Sequence, residues 1–389
     1  MKRIFLSTLV LSTLLFASCS EDKSDPVVNV EAPATYNFEN VSFSGQVTRL
    51  KMAGEFKNAL GKDGFAIKED VSAEVALTKL TNMFAKGTGF ADATLKGKIL
   101  RETIASGSSS TLTSVQSDAL RTKIDGWIKD FAQNVVPAKT NDASKGIAGN
   151  LENKRYVNAK GIEVNQAVAK TMIGAIMLDQ IVNKYVSKEY LAGATADNDA
   201  DKPYKEGAKY TKLQHGWDEA YGYVFGLEDD YKKPVNSTDA RKGFLNSYLK
   251  SVEADEDFKG IFDNVNNAFK KGRQAIVVKN YEVMHEQAAI LRMELSKVIA
   301  IRTVHYLVKG KGAKNASTLH ALSEAYGFAH AMMFAHANGP TGIQQVGTMM
   351  NSTIEALEKD GLWSVKDETL DVLSKKLASY YGFTVAEAL

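Results

Sequence analysis

Cysteine occurs once in the 389 residues, at Cys19, so no disulfide within the chain is available to hold a fold together. Proline is nearly as scarce. Pro26 and Pro33 fall before residue 40, and only Pro137, Pro203, Pro234 and Pro340 follow, each near a Gly, Asn or Asp cluster. Alternating β-branched runs are almost missing, the best being Tyr36–Val47. After the first 18 residues no stretch is apolar enough to cross a membrane. There is no G-x-S-x-G, no P-loop, and no G-x-G-x-x-G in a strand–helix setting, which removes the best-marked hydrolase and nucleotide-binding readings. His285-Glu286 lacks the second histidine of H-E-x-x-H, so a zincin protease has no support. Asp197-Asn198-Asp199-Ala200-Asp201 imitates the start of a calcium loop. Lys202 stands where the loop needs Gly and Ala208 where it needs Glu, which excludes an EF-hand and leaves a loop with at most weak cation affinity.

What the chain does have begins with Met1-Lys2-Arg3 and the apolar run Ile4–Phe16, too short to span a bilayer and patterned as a secretory signal. Phe16-Ala17-Ser18-Cys19 resembles the lipobox of bacterial lipoproteins. The resemblance implies cleavage after residue 18 and acylation of Cys19, which would bind the protein firmly to a membrane through several acyl chains. Ser20-Glu21-Asp22 resembles the export signal that carries Bacteroidetes lipoproteins to the cell surface, with the periplasmic face as the alternative. Residues 19–40 have the composition of a flexible tether. Losing Lys2 and Arg3 with the signal reduces 48 basic residues to 46, level with the 46 acidic ones, so no strong field is present to attract nucleic acid.

Long proline-free segments rich in Ala, Leu, Lys and Glu favour helix. Residues 163–190 show the apolar spacing directly, with Val164, Ala167, Val168, Met172, Ala175, Ile176, Ile181 and Tyr185. The expected fold class is all-α, with little or no β structure. Residues 41–389 exceed what one core usually fills, so two bundle-like halves are expected, about 41–235 and 236–389.

An internal repeat supports that division. His215-Gly216-Trp217-Asp218-Glu219-Ala220-Tyr221-Gly222-Tyr223 and His320-Ala321-Leu322-Ser323-Glu324-Ala325-Tyr326-Gly327-Phe328 both read H-x-x-x-E-A-Y-G-aromatic, 105 positions apart. The preceding segments align at an offset of 121: Gln166-Ala167, Met172 and Tyr185 match Gln287-Ala288, Met293 and Tyr306. An insertion in the first copy at Leu191–Tyr210 reconciles the offsets. Each unit would be a long helix, a loop, and a second helix opening on the histidine.

Residues four apart share a helix face, so His215 points with Glu219 and His320 with Glu324. Gly222 and Gly327, costly inside a helix, fit best where a neighbour approaches closely. A pseudo-twofold would let the two His–Glu faces meet. Glu282 and His285 add the E-x-x-H spacing of carboxylate-bridged metal bundles, and the set offers nitrogen and oxygen ligands suited to iron or zinc. The plainer reading is equally concrete: a His–Glu pair at this spacing also serves as a structural hydrogen bond, and Glu282/His285 as a solvated helix face. His305, His330 and His336 read as core or helix-end residues, and Trp217, Tyr221, Tyr223 and Phe225 as packing.

Tyr36 to Leu50, including Gly45, Gln46 and Arg49, together with the 215–223 motif, resembles a family of uncharacterised Bacteroidetes lipoproteins over essentially the whole mature chain. More distantly the chain is similar to imelysin-like proteins, which are exported, helical and duplicated, include iron-uptake components, and carry G-x-H-x-x-E. His215 would be that motif's histidine. Leu213 stands where its Gly belongs, Asp218 where its Glu belongs, and Glu219 lies one position late. The resemblance implies a non-catalytic lipoprotein that binds a metal, a metal complex or an uptake partner protein, with His215, Asp218 and Glu219 as first candidates and Glu282, His285, His320 and Glu324 as second. The other readings are a metal-independent glycan- or protein-binding module, and an imelysin-like metal-dependent hydrolase.

Overall fold

The computed structural model describes residues 29–107, 114–152, 155–237, 243–336 and 342–389. Cys19, the signal run, the acidic stretch after it and Pro340 lie outside the described residues. The chain is dominated by helices: α1 (Ser44–Ala59), α2 (Ala73–Thr81), α3 (Ser114–Asp130), α4 (Val164–Met172), α5 (Lys212–Phe225), α6 (Phe244–Glu253), α7 (Ile261–Val277), α8 (Tyr281–Lys309), α9 (Ala316–Ala331), α10 (Gly342–Glu358) and α11 (Asp367–Tyr381). The all-α expectation holds, with one small exception. Gly149–Leu151 and Arg155–Val157 form an antiparallel hairpin in which Gly149 faces Val157. Three-residue strands leave too short an alternation to read in sequence.

Apolar periodicity accounts for the helices. In α3, Leu120, Ile124, Trp127 and Ile128 are buried on one stripe. Helix α4 differs, because nearly every residue from Val164 to Val182 is buried. A helix buried on all sides belongs at the centre, and α4 packs against α9 and α1. It continues through wide turns at Ile173–Leu178 and Ile181–Tyr185 and stops before Ser187, which caps the short helix Lys188–Ala192. The 29-residue α8, roughly 43 Å long at about 1.5 Å per residue, packs on α7, α9 and α11.

Both motif helices open with a capping box. Thr211 and Gln214 exchange side-chain and backbone bonds at the start of α5, and Asn315 and Thr318 do so at α9. Both motif glycines sit at close approaches. A Cβ on Gly222 would fall 2.5 Å from Phe43 Cβ, and one on Gly327 would fall 2.6 Å from the Ala167 carbonyl oxygen. The glycine is thus what lets α5 take the segment before α1, and α9 take α4, into direct contact.

Tyr36–Val47, the best of the scarce β-branched runs, forms no strand, in keeping with little or no β structure: Ser44 already begins α1. The expected extent of the tether is corrected: it ends before residue 40, since Val30 and Tyr36 are buried. Tyr36 stacks on Tyr221 with ring centroids 3.6 Å apart and donates its hydroxyl to Asp218. The aspartate-rich segment 197–201 holds a short helix, Thr195–Asp199, and its acids are taken up internally by Lys202, Lys279 and the Tyr281 hydroxyl.

Candidate functional site

On α5, His215 Nε2 lies 3.6 Å from Glu219 Oε1. The imidazole packs against both Tyr204 and Tyr210, with ring centroids 4.9 and 4.8 Å away, and the two tyrosine rings also touch each other at 6.4 Å. Glu219 also accepts from Gln46 Nε2 at 2.8 Å, and its charge acts on the Tyr185 phenol beside it. Burial and then the Glu219 charge push the Tyr185 phenol well above its ordinary range, so it stays a donor. Asp218, one residue earlier, projects about 100° away round the helix. It is fully buried, accepting from Tyr36 at 2.7 Å and from Arg273 Nε at 3.0 Å. Burial raises its carboxyl pKa against the pull of Arg273 and Tyr36. Asp218 is therefore an anchor for the segment before α1, with Arg273 also over the Phe38 ring. It takes no part in a site with Glu219.

On α9 the geometry repeats. His320 Nε2 lies 3.6 Å from Glu324 Oε1, and the Glu324 charge helps to raise the Tyr306 phenol as the Glu219 charge helps to raise Tyr185. Tyr185 and Tyr306 are the pair aligned by the 121-residue offset, so the duplication carries a Tyr–Glu–His unit and not composition alone. The second copy is filled by its own chain. Lys170 Nζ reaches Glu324 at 2.6 Å, and His320 Nδ1 lies 2.7 Å from Glu163 and 2.6 Å from Arg155 Nη1. Burial works to raise the Glu324 carboxyl, but Lys170 and His320 outweigh it and hold it below the usual range.

The two His–Glu faces do not meet among the described residues. Their partners are distinct sets, because α5 packs on α1 and α7 whereas α9 packs on α4 and α8. Glu282 and His285 are separate again, at the start of α8. Glu282 is exposed, and burial together with Arg292 and Lys188 lowers the His285 pKa. Among the described residues no three His, Cys, Asp or Glu side chains are grouped to hold a metal ion.

Sequence reasoning missed what lies beside the first copy. Tyr185 forms part of the wall of an open cleft of ≈ 630 Å³ between the start of α1, the turn after α2, the loop 96–99 and the end of the α4 continuation. Arg49, Lys86, Lys96, Lys98 and Lys184 line it, with Glu102 as its one acidic wall residue. These cations come from four separate segments, so no local run of charge announced them. A family model matches residues 33–384. The chain belongs to the family described as domain of unknown function (DUF4856). The match begins just before Tyr36, in keeping with the ordered segment that Asp218 anchors, and covers both copies of the Tyr–Glu–His unit. No curated protein and no solved structure matches the chain.

Proposed function

We propose that this family member is a lipid-tethered binding protein of the outer membrane, held through acylated Cys19 and facing the cell surface, that captures a small solute during nutrient uptake. The observation that carries the reading is the open cleft beside Glu219, of a size ordinary for small-molecule sites. His215, Glu219, His320 and Glu324 are instead engaged in internal pairs, most completely at Glu324, while Glu282 and His285 stand apart at the start of α8. Capture in the cleft therefore replaces iron or zinc at His215 and Glu219 as the preferred reading. No helix among the described residues is long and apolar enough to cross a membrane, and a membrane anchor would fall to the lipid.

Two variants test this in a strain lacking the gene. Cys19→Ser should release the protein from the membrane fraction and abolish palmitate labelling. Thr88→Trp, which fills the cleft mouth with an indole from an exposed wall position, should leave the protein anchored but fail to restore competitive growth on limiting nutrients. Full complementation by Thr88→Trp would reject capture in this cleft, and membrane retention of Cys19→Ser would reject the tether.

A further inference from the structure

The cleft's charge is its most specific feature. The mature chain is balanced in formal charge, yet five cations face this one opening against Glu102. None of the five forms a salt bridge among the described residues. Two of them converge. Lys98 Nζ and Arg49 Nη1 lie 3.3 and 3.6 Å from the point that a Cβ on Gly45 would occupy, so the missing side chain leaves room where two positive charges come together. Such convergence is unfavourable unless an anion neutralises it.

The surrounding contacts hold the cations in place without neutralising them. Arg49 Nε donates to Thr103 Oγ1 at 3.3 Å. Gln180 Nε2 donates to Ser106 Oγ at 2.8 Å, which leaves its carbonyl for Lys184 Nζ at 3.5 Å. Lys184 also lies 5.0 Å from the Tyr185 ring centroid. Gly87 seats the 96–99 loop. It adopts φ +66, and a Cβ there would fall 2.1 Å from the Lys98 carbonyl oxygen, so only glycine lets that loop close on the turn after α2. Behind the wall, Glu219 accepts from Gln46 at 2.8 Å and Asp179 from the Gly107 amide at 2.7 Å.

We infer that the cleft binds a sugar-sized solute bearing a tetrahedral oxyanion, as a phosphate or sulfate ester, with Arg49 and Lys98 on the oxyanion and Lys184, Lys86 and Lys96 around it. This rests on the capture reading above and names its ligand class. Arginine's fork matches such oxygens, and lysines act as point charges around them. The volume leaves space for the sugar beyond the oxyanion.

The test is isothermal titration of the full chain in detergent micelles with glucose 6-phosphate, glucose 6-sulfate, glucose and glucosamine. At least one ester should bind, more weakly at 500 mM than at 50 mM sodium chloride, while glucose and glucosamine should not. Lys98→Gln should weaken the ester about tenfold, the loss expected for one hydrogen bond to a charged group. The double variant Lys98→Gln/Lys184→Gln should abolish detectable binding, with exposed Lys375→Gln as the unaffected control and unchanged melting to show that all three fold. Absence of binding by both esters, or undiminished binding in the double variant, overturns the inference. Binding of glucose or glucosamine in their place overturns the oxyanion class and leaves capture standing. Capture itself falls only if Thr88→Trp complements.

Discussion

His330 lies on α9 with its ring edge-on to Trp127 and Tyr326, at centroid distances of 5.4 and 5.0 Å. Burial, and then the Lys123 ammonium, pull its pKa down to about 3. The unfolded chain, with an ordinary value near 6.5, therefore takes up a proton that the folded chain refuses. The sign follows: this contribution is complete above about pH 6.5 and is lost as pH falls toward 3. At pH 4.5 the loss is about 2.7 kcal/mol, two pH units at about 1.36 kcal/mol each. Urea unfolding at pH 7.5 and 4.5 should show His330→Phe losing less stability than the wild type by about that amount; equal losses would refute the assignment. At this scale the sequence was legible only locally. Four-residue spacing paired His215 with Glu219 and His320 with Glu324, and the apolar surroundings of His330 marked it as core. Lys170, Glu163, Gln46 and Arg273 were out of reach, because each meets its partner from 50 or more positions away and periodicity reports faces, not neighbours.

Helices were legible where one face is apolar, and their contact points where glycine interrupts a good helix. That logic separates glycines which must be glycine from those which merely are. Gly327 in α9 meets Ala167 of α4, and an added methyl would lie 2.6 Å from a carbonyl oxygen and 2.7 Å from Lys170 Cβ. Gly126 in α3 has nothing within 4 Å. Gly327→Ala should destabilise by about 1–3 kcal/mol through overpacking, whereas Gly126→Ala should stabilise by about 0.5–1 kcal/mol through helix propensity alone. Opposite signs in denaturant midpoints check both; a neutral Gly327→Ala would mean that α4 and α9 are not packed as described. What the sequence hid at this scale was the interior position of α4. A helix buried all round has no polar face to define a stripe, so the 163–190 pattern identified a helix without saying that it is central.

At the scale of the molecule, the duplication predicted two bundle-like halves, and their relation is a question of cooperativity. The repeat units are not packed each within itself. Helix α4, from the first half, takes α9 of the second against Gly327 and also touches α1, while α5 packs on α7 across the same divide. Ile173, Ile176, Leu178, Leu322, Phe328 and Met332 belong to one continuous apolar cluster. The Glu324 pair draws Lys170, Glu163 and Arg155 from the first half onto α9. Removing either half would therefore strip the other of its central packing and break the Lys170–Glu324 pair. Scanning calorimetry of the intact protein should show one transition, with the van't Hoff enthalpy equal to the calorimetric one. Residues 41–235 expressed alone should show none. Two resolved transitions, or a cooperative melt from that fragment, would mean that the copies fold as separate domains and that the contacts of α9 with α4 form only as they dock. The Tyr185–Glu219 and Tyr306–Glu324 pairs would then be relics of a duplication. A single transition would make them parts of one cooperative core, the second neutralised by Lys170 and the first left beside an open cleft.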